Sequence, residues 1–250
     1  MTRSEWLAKC LHWKQKWPVI QPEHAADNTT GAVNIYAVLD WINKHSRPEQ
    51  VLMGDAGSIS YAGPTALETK PGQRMVFSPA QADMGWAVPA AIGVCLANGN
   101  QSVITITGDG SFMSNIQELA VIKEHNLNVK IVILNNGGYL SIKNTQEKYF
   151  EGRVYGTSSK KGLWFPDFAE VAECFKFEYF KITSQRDMDR YAEVLKYGGN
   201  SPQIFDCVCL ENQEILPAQA LKNGQQAGLH DMTPFLSDEE LAEEMIVSIK

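Results

Sequence analysis

No uninterrupted apolar stretch in this chain reaches the roughly eighteen residues of a membrane span. Its opening, Met1-Thr2-Arg3-Ser4-Glu5-Trp6, also lacks the apolar core of a secretory leader. Basic runs are absent as well. The 22 Lys and Arg against 29 Asp and Glu leave a net charge of −7, which argues against nucleic acid and against an anionic membrane surface as partners. Cysteine is scarce: Cys10, Cys95, Cys174, Cys207 and Cys209 are scattered, odd in number and never spaced Cys-x-x-Cys. That pattern speaks against a disulfide framework and against a metal site. Cys207 and Cys209 fall on one face of a strand pattern and read as buried thiols of a reducing compartment, so the expected location is cytoplasmic. Neither an internal repeat nor a low-complexity tract is visible.

What is present suits a large α/β domain: 250 residues, 44% of them apolar, can bury a full core. Ser102 to Thr107 is β-branched almost throughout and runs into Gly108-Asp109-Gly110; Val129 to Leu134 runs into Asn135-Asn136. Between them Ser114 and Gln117 fit a helix capping box, with Ile116, Leu119, Ala120 and Ile122 as an apolar side. Strand, helix, strand in some thirty residues predicts a βαβ unit with a right-handed crossover. Asp109 and Asn136 then both stand at the carboxyl ends of parallel strands, the edge where open α/β sheets bind ligands. A carboxylate and an amide oxygen converging there, with glycine permitting close backbone approach, suit a hard cation such as Mg²⁺ holding a phosphate. Gly110 and Ser111 are expected to offer backbone N–H groups to that phosphate where strand gives way to helix.

Gly108-Asp109-Gly110-Ser111-Phe112 followed by Leu134-Asn135-Asn136 resembles the thiamine diphosphate signature of the acetolactate synthase and pyruvate oxidase group. Three further motifs agree in order. Met84-Gly85-Trp86-Ala87-Val88-Pro89-Ala90-Ala91-Ile92-Gly93 resembles that group's helix start. Pro166-Asp167-Phe168 resembles a later helix, with Asp167 as its expected cap. Gln203 to Val208, followed by Ile215-Leu216-Pro217, resembles its last strand and exit. The resemblance runs from about Val33 to Pro217 and implies an open parallel sheet with helices on both faces, the diphosphate-binding domain of such enzymes. It implies thiamine diphosphate and Mg²⁺ as cofactors, with Asp109, Asn136 and the Gly138 carbonyl as metal ligands. It also implies a prop beneath the bent cofactor from Met84, contacts from Gly57 and Ser58 in the loop Gly54 to Ser58, and contacts from Tyr139 and Leu140 after Gly138.

The resemblance also defines what is missing. In that group a glutamate from a separate pyrimidine-binding domain activates the cofactor, and that domain normally precedes this one. The chain is therefore expected to be half an active site. It should pair, as a homo- or hetero-oligomer, with a domain or subunit carrying that glutamate, and act on a small 2-oxo acid by decarboxylation or carboligation. No catalytic acid is assigned here; Glu118, on the crossover helix, lies behind the metal edge. Met1 and the residues after it favour a natural start. The Gln-Trp-Glu that shapes the acetolactate synthase acceptor pocket has no counterpart in Asn144-Thr145-Gln146-Glu147, which argues against acetolactate formation. The alternatives are the β subunit of a sulfopyruvate-type decarboxylase, or a non-catalytic cofactor-binding or regulatory module of the same fold. A ferredoxin oxidoreductase β subunit is disfavoured, since no Cys-x-x-Cys exists to hold an iron–sulfur cluster.

The expected organisation has three parts. Residues 1–31 hold a Trp-rich helix (Trp6, Cys10, Trp13, Trp17), ended by Pro18 and docked on its own domain, and a polar linker from Gln21 to Gly31. Residues 32–220 form the cofactor domain, starting with a helix over Val33 to His45, a strand at Val51 to Met53, and a loop from Gly137 to Gly162 serving as lid or substrate segment. Residues 221–250 form an arm that wraps a neighbour or the active-site mouth.

Overall fold

Strands without polar alternation can be buried only between two layers. The computed structural model describes residues 1–25, 31–199 and 201–247. Six strands, β1 (Val51–Gly54), β2 (Met75–Phe77), β3 (Val103–Gly108), β4 (Val129–Asn135), β5 (Glu178–Ile182) and β6 (Gln203–Val208), pair in parallel in the order β2-β1-β3-β4-β6-β5. The fold is the expected α/β open parallel sheet with helices on both faces. From β1 the chain moves to one side, and from β3 to the other. The carboxyl ends of β1 and β3 therefore flank a topological switch point, where the connections diverge and leave a crevice.

Ten helices accompany the sheets among the described residues: α1 (Arg3–Lys16), α2 (Ile35–His45), α3 (Ser58–Ala66), α4 (Ala87–Ala97), α5 (Asp109–Ser114), α6 (Leu119–Glu124), α7 (Leu140–Tyr149), α8 (Phe168–Phe175), α9 (Gln185–Tyr197) and α10 (Asp238–Glu244). On one face of the sheet Val103, Val129, Ile131, Ile133 and Ile204 pack with residues of α4, α6 and α8. Phe112 of α5, fully buried, meets Phe168 of α8 edge to face at 5.4 Å. On the other face Trp41 of α2 packs edge-on against Phe205 of β6 at 5.7 Å, and α9 lies against α2 and β5. Capping follows the sequence: Asn34 accepts from Tyr36 N–H (2.8 Å) to start α2, and Asp167 accepts from Ala169 N–H (2.8 Å) to start α8. At the opposite edge from the crevice, the fully buried Lys130 donates to the carbonyls of Val194 (3.1 Å) and Leu195 (2.6 Å) near the end of α9. It satisfies carbonyls that a helix end leaves open. Burial pushes its ammonium down to about 8.

Three expectations differ from the structure. The helix between β3 and β4 has no capping box at Ser114 and is not one helix. It starts directly from β3 at Asp109; Ser114 closes α5, with its hydroxyl donating back to the Gly110 carbonyl (3.3 Å). Such back-bonding competes with a cap; Asn115, at φ −135°, then breaks the run before a short 3₁₀ turn (Ile116–Glu118) and α6. The span after Asn136 is not loop throughout, because α7 occupies ten residues of it. The apolar period could not signal this helix, since Leu140 and Lys143 are its only buried residues. The Trp-rich helix forms, with a capping box from Thr2 and Glu5, but none of its residues is buried, and Trp6, Leu7 and Leu11 stay about half exposed. Lys14 reaches Glu68 at 2.6 Å. Of the eleven residues of the expected polar linker, five, 26–30, lie outside the described residues, and Pro22–Ala25 form a 3₁₀ turn.

The chain divides into two compact units, Met1–Gln213 and Glu214–Lys250, the division falling before the boundary expected at residue 220. In the second unit a short antiparallel pair, β7 (Leu221–Lys222) and β8 (Gln225–Gln226), accompanies α10. Lys222 bonds Asp231 at 2.7 Å and Asp238 at 3.2 Å.

Candidate functional site

The crevice at the switch point is built from strand ends. β3 ends at Gly108 and turns at once into α5, so Asp109 stands at the strand-to-helix junction with 1% exposure. Its Oδ1 accepts from Gly110 N–H (2.6 Å), and its Oδ2 from Gly137 N–H (2.7 Å) and Gly138 N–H (3.0 Å). One carboxylate thus ties the end of β3 to the loop after β4. Burial raises its pKa to about 6 even though these N–H groups favour the charged form.

The two asparagines at the end of β4 part company. Asn135 turns along the sheet: its amide donates to Asp206 Oδ1 (2.9 Å), whose other oxygen accepts from Tyr179 OH (2.7 Å). Asn136 lines the crevice. The loop beyond it is strapped down, since Tyr139 N–H donates to the Thr157 carbonyl (2.9 Å) and Gly138 bridges Ser158. Glycine is obligatory at two points of this cradle. A Cβ on Gly138 would stand 2.0 Å from the Thr157 carbonyl oxygen, and one on Gly110 would stand 2.1 Å from the Tyr139 ring. Both contacts are far inside van der Waals separation.

From β1, Gly57 enters α3 at φ +75°, a left-handed conformation that suits glycine. Met84, 39% exposed, also lines the cleft and precedes Gly85 at φ +84°. All eleven residues expected at the cofactor (Gly57, Ser58, Met84, Gly108, Asp109, Gly110, Ser111, Asn136, Gly138, Tyr139 and Leu140) line this one cleft. Glu118, in its 3₁₀ turn, is not among the lining residues. Sequence reasoning did not single out Ile35, Ala56, Ile59, Leu134, Ser141 and Ile142, which complete the lining. It also gave no role to Asp55, whose two oxygens gather four donors behind the cleft. A signal for Asp55 existed: Gly54-Asp55 ends β1 as Gly108-Asp109 ends β3.

Asp109, Asn136 and Gly138 all line the cleft and carry a carboxylate, a carboxamide and a backbone carbonyl, which are hard oxygen donors; the Gly138 carbonyl accepts from Leu140 N–H at 3.2 Å. Among the described residues no group of three His, Cys, Asp or Glu could hold a metal, so a metal here would rest on mixed oxygen donors. Among the described residues, too, no helix is long and apolar enough to cross a membrane.

A glycine-cradled strand-to-helix turn at the switch point of a parallel sheet defines a phosphate-binding α/β domain. Comparison with known proteins makes this specific: the family described as thiamine pyrophosphate enzyme, C-terminal TPP binding domain, matches residues 55–206. The chain belongs to that family, and it is similar to acetolactate synthase large subunits. It is 27% identical over 227 residues to the acetolactate synthase large subunit of Porphyra purpurea, covering 90% of this chain and 37% of that protein. It is 29% identical over 208 residues to the acetolactate synthase isozyme 2 large subunit of Escherichia coli (strain K12), covering 82% of this chain and 37% of that one. The chain therefore spans little more than a third of these relatives. Its fold is shared with benzoylformate decarboxylase from Polynucleobacter necessarius, at a TM-score of 0.67 and 20% identity, over 80% of this chain and 36% of that one.

Proposed function

We propose that this chain is the diphosphate- and Mg²⁺-binding component of a thiamine diphosphate-dependent enzyme that decarboxylates or carboligates a small 2-oxo acid. The observation that carries this reading is the convergence of the eleven motif residues on one cleft at the carboxyl edge of the sheet. The residues fit the group. The cradle at Gly110 and Gly138 has no room for a side chain, and a buried carboxylate raised to about 6 is a group that a cation would relieve. Asp109, the Asn136 side-chain oxygen and the Gly138 carbonyl would hold the metal, and the backbone N–H of Ser111 would face the diphosphate, the Gly110 N–H expected beside it being bound to Asp109 Oδ1 at 2.6 Å. Gly57, Ser58, Tyr139 and Leu140 line the same cleft. Thiamine diphosphate, when bound, supplies a stabilised carbanion equivalent for cleaving a bond beside a carbonyl.

This chain's residues bind and orient. Met84 stands at the cleft mouth as the prop for the organic part of the cofactor, and Asp109 gathers the Gly137–Gly138 loop. The glutamate that activates the cofactor comes from a pyrimidine-binding domain, on a partner subunit or elsewhere in a longer chain, and the complete site forms only where that domain meets this one. Calorimetry tests the reading directly. The wild-type chain should bind thiamine diphosphate only with Mg²⁺ present, and Asp109→Ala should abolish that binding while the fold survives. Equal affinity in the variant would refute the metal assignment.

A further inference from the structure

Asp55 lies at the end of β1 with 2% exposure, and its side chain joins three segments of the cleft wall. Oδ1 accepts from Ala56 N–H (2.7 Å) and from Gly85 N–H (3.0 Å). Oδ2 accepts from the Thr107 hydroxyl (2.9 Å) and from Ala87 N–H (3.4 Å). Ala56 leads into α3, Thr107 is the residue before Gly108-Asp109, and Gly85 and Ala87 lie just past Met84 at the start of α4.

The turn before α4 needs such an anchor. It contains two residues in the left-handed region, Ala82 at φ +53° and Gly85 at φ +84°, and its residues 81–84 are exposed. Side-chain packing cannot hold Gly85. A Cβ there would stand 2.7 Å from Ser114 Cβ, so the backbone itself sits against α5. Two polar contacts fix it: Asp55 takes its N–H, and Asn115 donates to its carbonyl at 2.9 Å. Stability alone does not ask for a charge at this place. Burial raises the Asp55 pKa despite its four donors, so what this place asks for is acceptor oxygens, without which those donors would be left buried and unpaired. What a carboxylate does, and an aliphatic side chain cannot, is accept from several backbone N–H groups at once and so hold a glycine turn in register.

We propose that Asp55 is a positioning residue of the site: it pins the Met84–Ala87 turn to the ends of β1 and β3 and thereby sets Met84 in the cleft that Asp109 lines. The role rests on the cofactor reading above. It predicts that Asp55 governs how the organic part of thiamine diphosphate is held, while the diphosphate and metal depend on Asp109, Asn136 and Gly138.

Two measurements on the full chain test this. The first is amide hydrogen exchange without ligand. In Asp55→Ala the Gly85 amide should lose protection by about tenfold or more, as expected when a buried donor loses its acceptor, while amides of β3 and β4 keep theirs. Asp55→Asn should restore it. The Asn oxygen can accept from Ala56 and Gly85, and its amide can donate to the Thr107 hydroxyl, which then turns its hydrogen to the Gly108 carbonyl 3.3 Å away. The second is calorimetry with Mg²⁺ and either thiamine diphosphate or inorganic diphosphate. Asp55→Ala should weaken thiamine diphosphate by about tenfold and leave diphosphate within about twofold, a split that general loosening of the fold would not give. Thr107→Val, which removes one donor, should shift both readouts less and in the same direction, and it serves if the Ala variant does not fold. Unchanged Gly85 exchange, or equal weakening of both ligands, would overturn the positioning role alone. If the wild-type chain binds neither ligand, the cofactor reading fails and the role falls with it.

Discussion

Asp109→Asn should make the ligand-free protein more stable at neutral pH, although it removes the carboxylate proposed to hold the metal. Burial sets the effect: Asp109 is 1% exposed, and its pKa rises from 3.8 to about 6. A folded value above the unfolded one means that the folded chain prefers the protonated form. The stability this group contributes is therefore complete below about pH 4 and lost as pH rises through about 6. The gap of roughly two units corresponds to about 3 kcal/mol by pH 7.5. Of that, about 2 kcal/mol is lost between about pH 4.5 and 7.5, because the unfolded carboxyl is already largely ionised at the lower value. The amide removes the titration and keeps an oxygen for Gly137 and Gly138 N–H. Its NH₂ then faces the Gly110 N–H now bound at 2.6 Å, and that lost hydrogen bond costs about 1 kcal/mol. The net expectation is a gain of about 1–2 kcal/mol near pH 7.5 that shrinks or reverses near pH 4.5. Urea unfolding of chelator-treated wild type and variant across that range is the assay. A stability difference that stays constant with pH would refute the assignment of a strained, buried carboxylate. An unchanged Mg²⁺-dependent affinity for thiamine diphosphate in the variant would refute its role at the metal.

Other outcomes follow from the same geometry. Gly138→Ala should lose cofactor binding and destabilise the chain, because the new Cβ meets the Thr157 carbonyl at 2.0 Å and a backbone atom cannot rotate away; calorimetry and urea unfolding read both effects. Phe112→Ala should cost about 3–5 kcal/mol in urea unfolding, since that ring is fully buried against Phe168. Lys130→Met isolates a second linkage. The folded lysine is lowered from 10.5 to about 8, so its contribution is present above about 10.5 and lost as pH falls through about 8. Wild type should therefore gain on the variant as pH rises across that window, and no pH-dependent difference would count against a buried ammonium. Purified alone with thiamine diphosphate, Mg²⁺ and pyruvate, the chain should release no carbon dioxide above background; robust turnover would refute the half-site reading.

The sequence by itself determined β1, β3, β4 and β6, because an uninterrupted apolar run has few alternatives once both of its faces are buried; the edge strands β2 and β5, only partly buried, gave no such signal. It also placed Asp109 and Asn136 at one edge, since consecutive parallel strands must end on the same side, and the resemblance carried the other expected cleft residues. Helices with a strong apolar side or a clear cap, α2 and α8, were legible for the same reason. Where packing supplies no period the sequence was silent. α7 buries only Leu140 and Lys143, and the Ser114 capping signal yielded to a helix that starts five residues earlier because β3 feeds straight into it. The exposed face of α1 is another case. Its tryptophans recur at helical spacing, yet spacing cannot say what covers them, and none of its residues is buried. The resemblance had singled out Asn136; only the tertiary structure gave Asn135 its partner, Asp206. Only the tertiary structure brought Gly85, Ala87 and Thr107 to Asp55, across gaps of thirty or more residues that no local pattern encodes. Local propensity and burial fix which elements form. The hydrogen-bond partners of a buried carboxylate depend on which strand ends the sheet order makes neighbours, and that order is a property of the assembled fold.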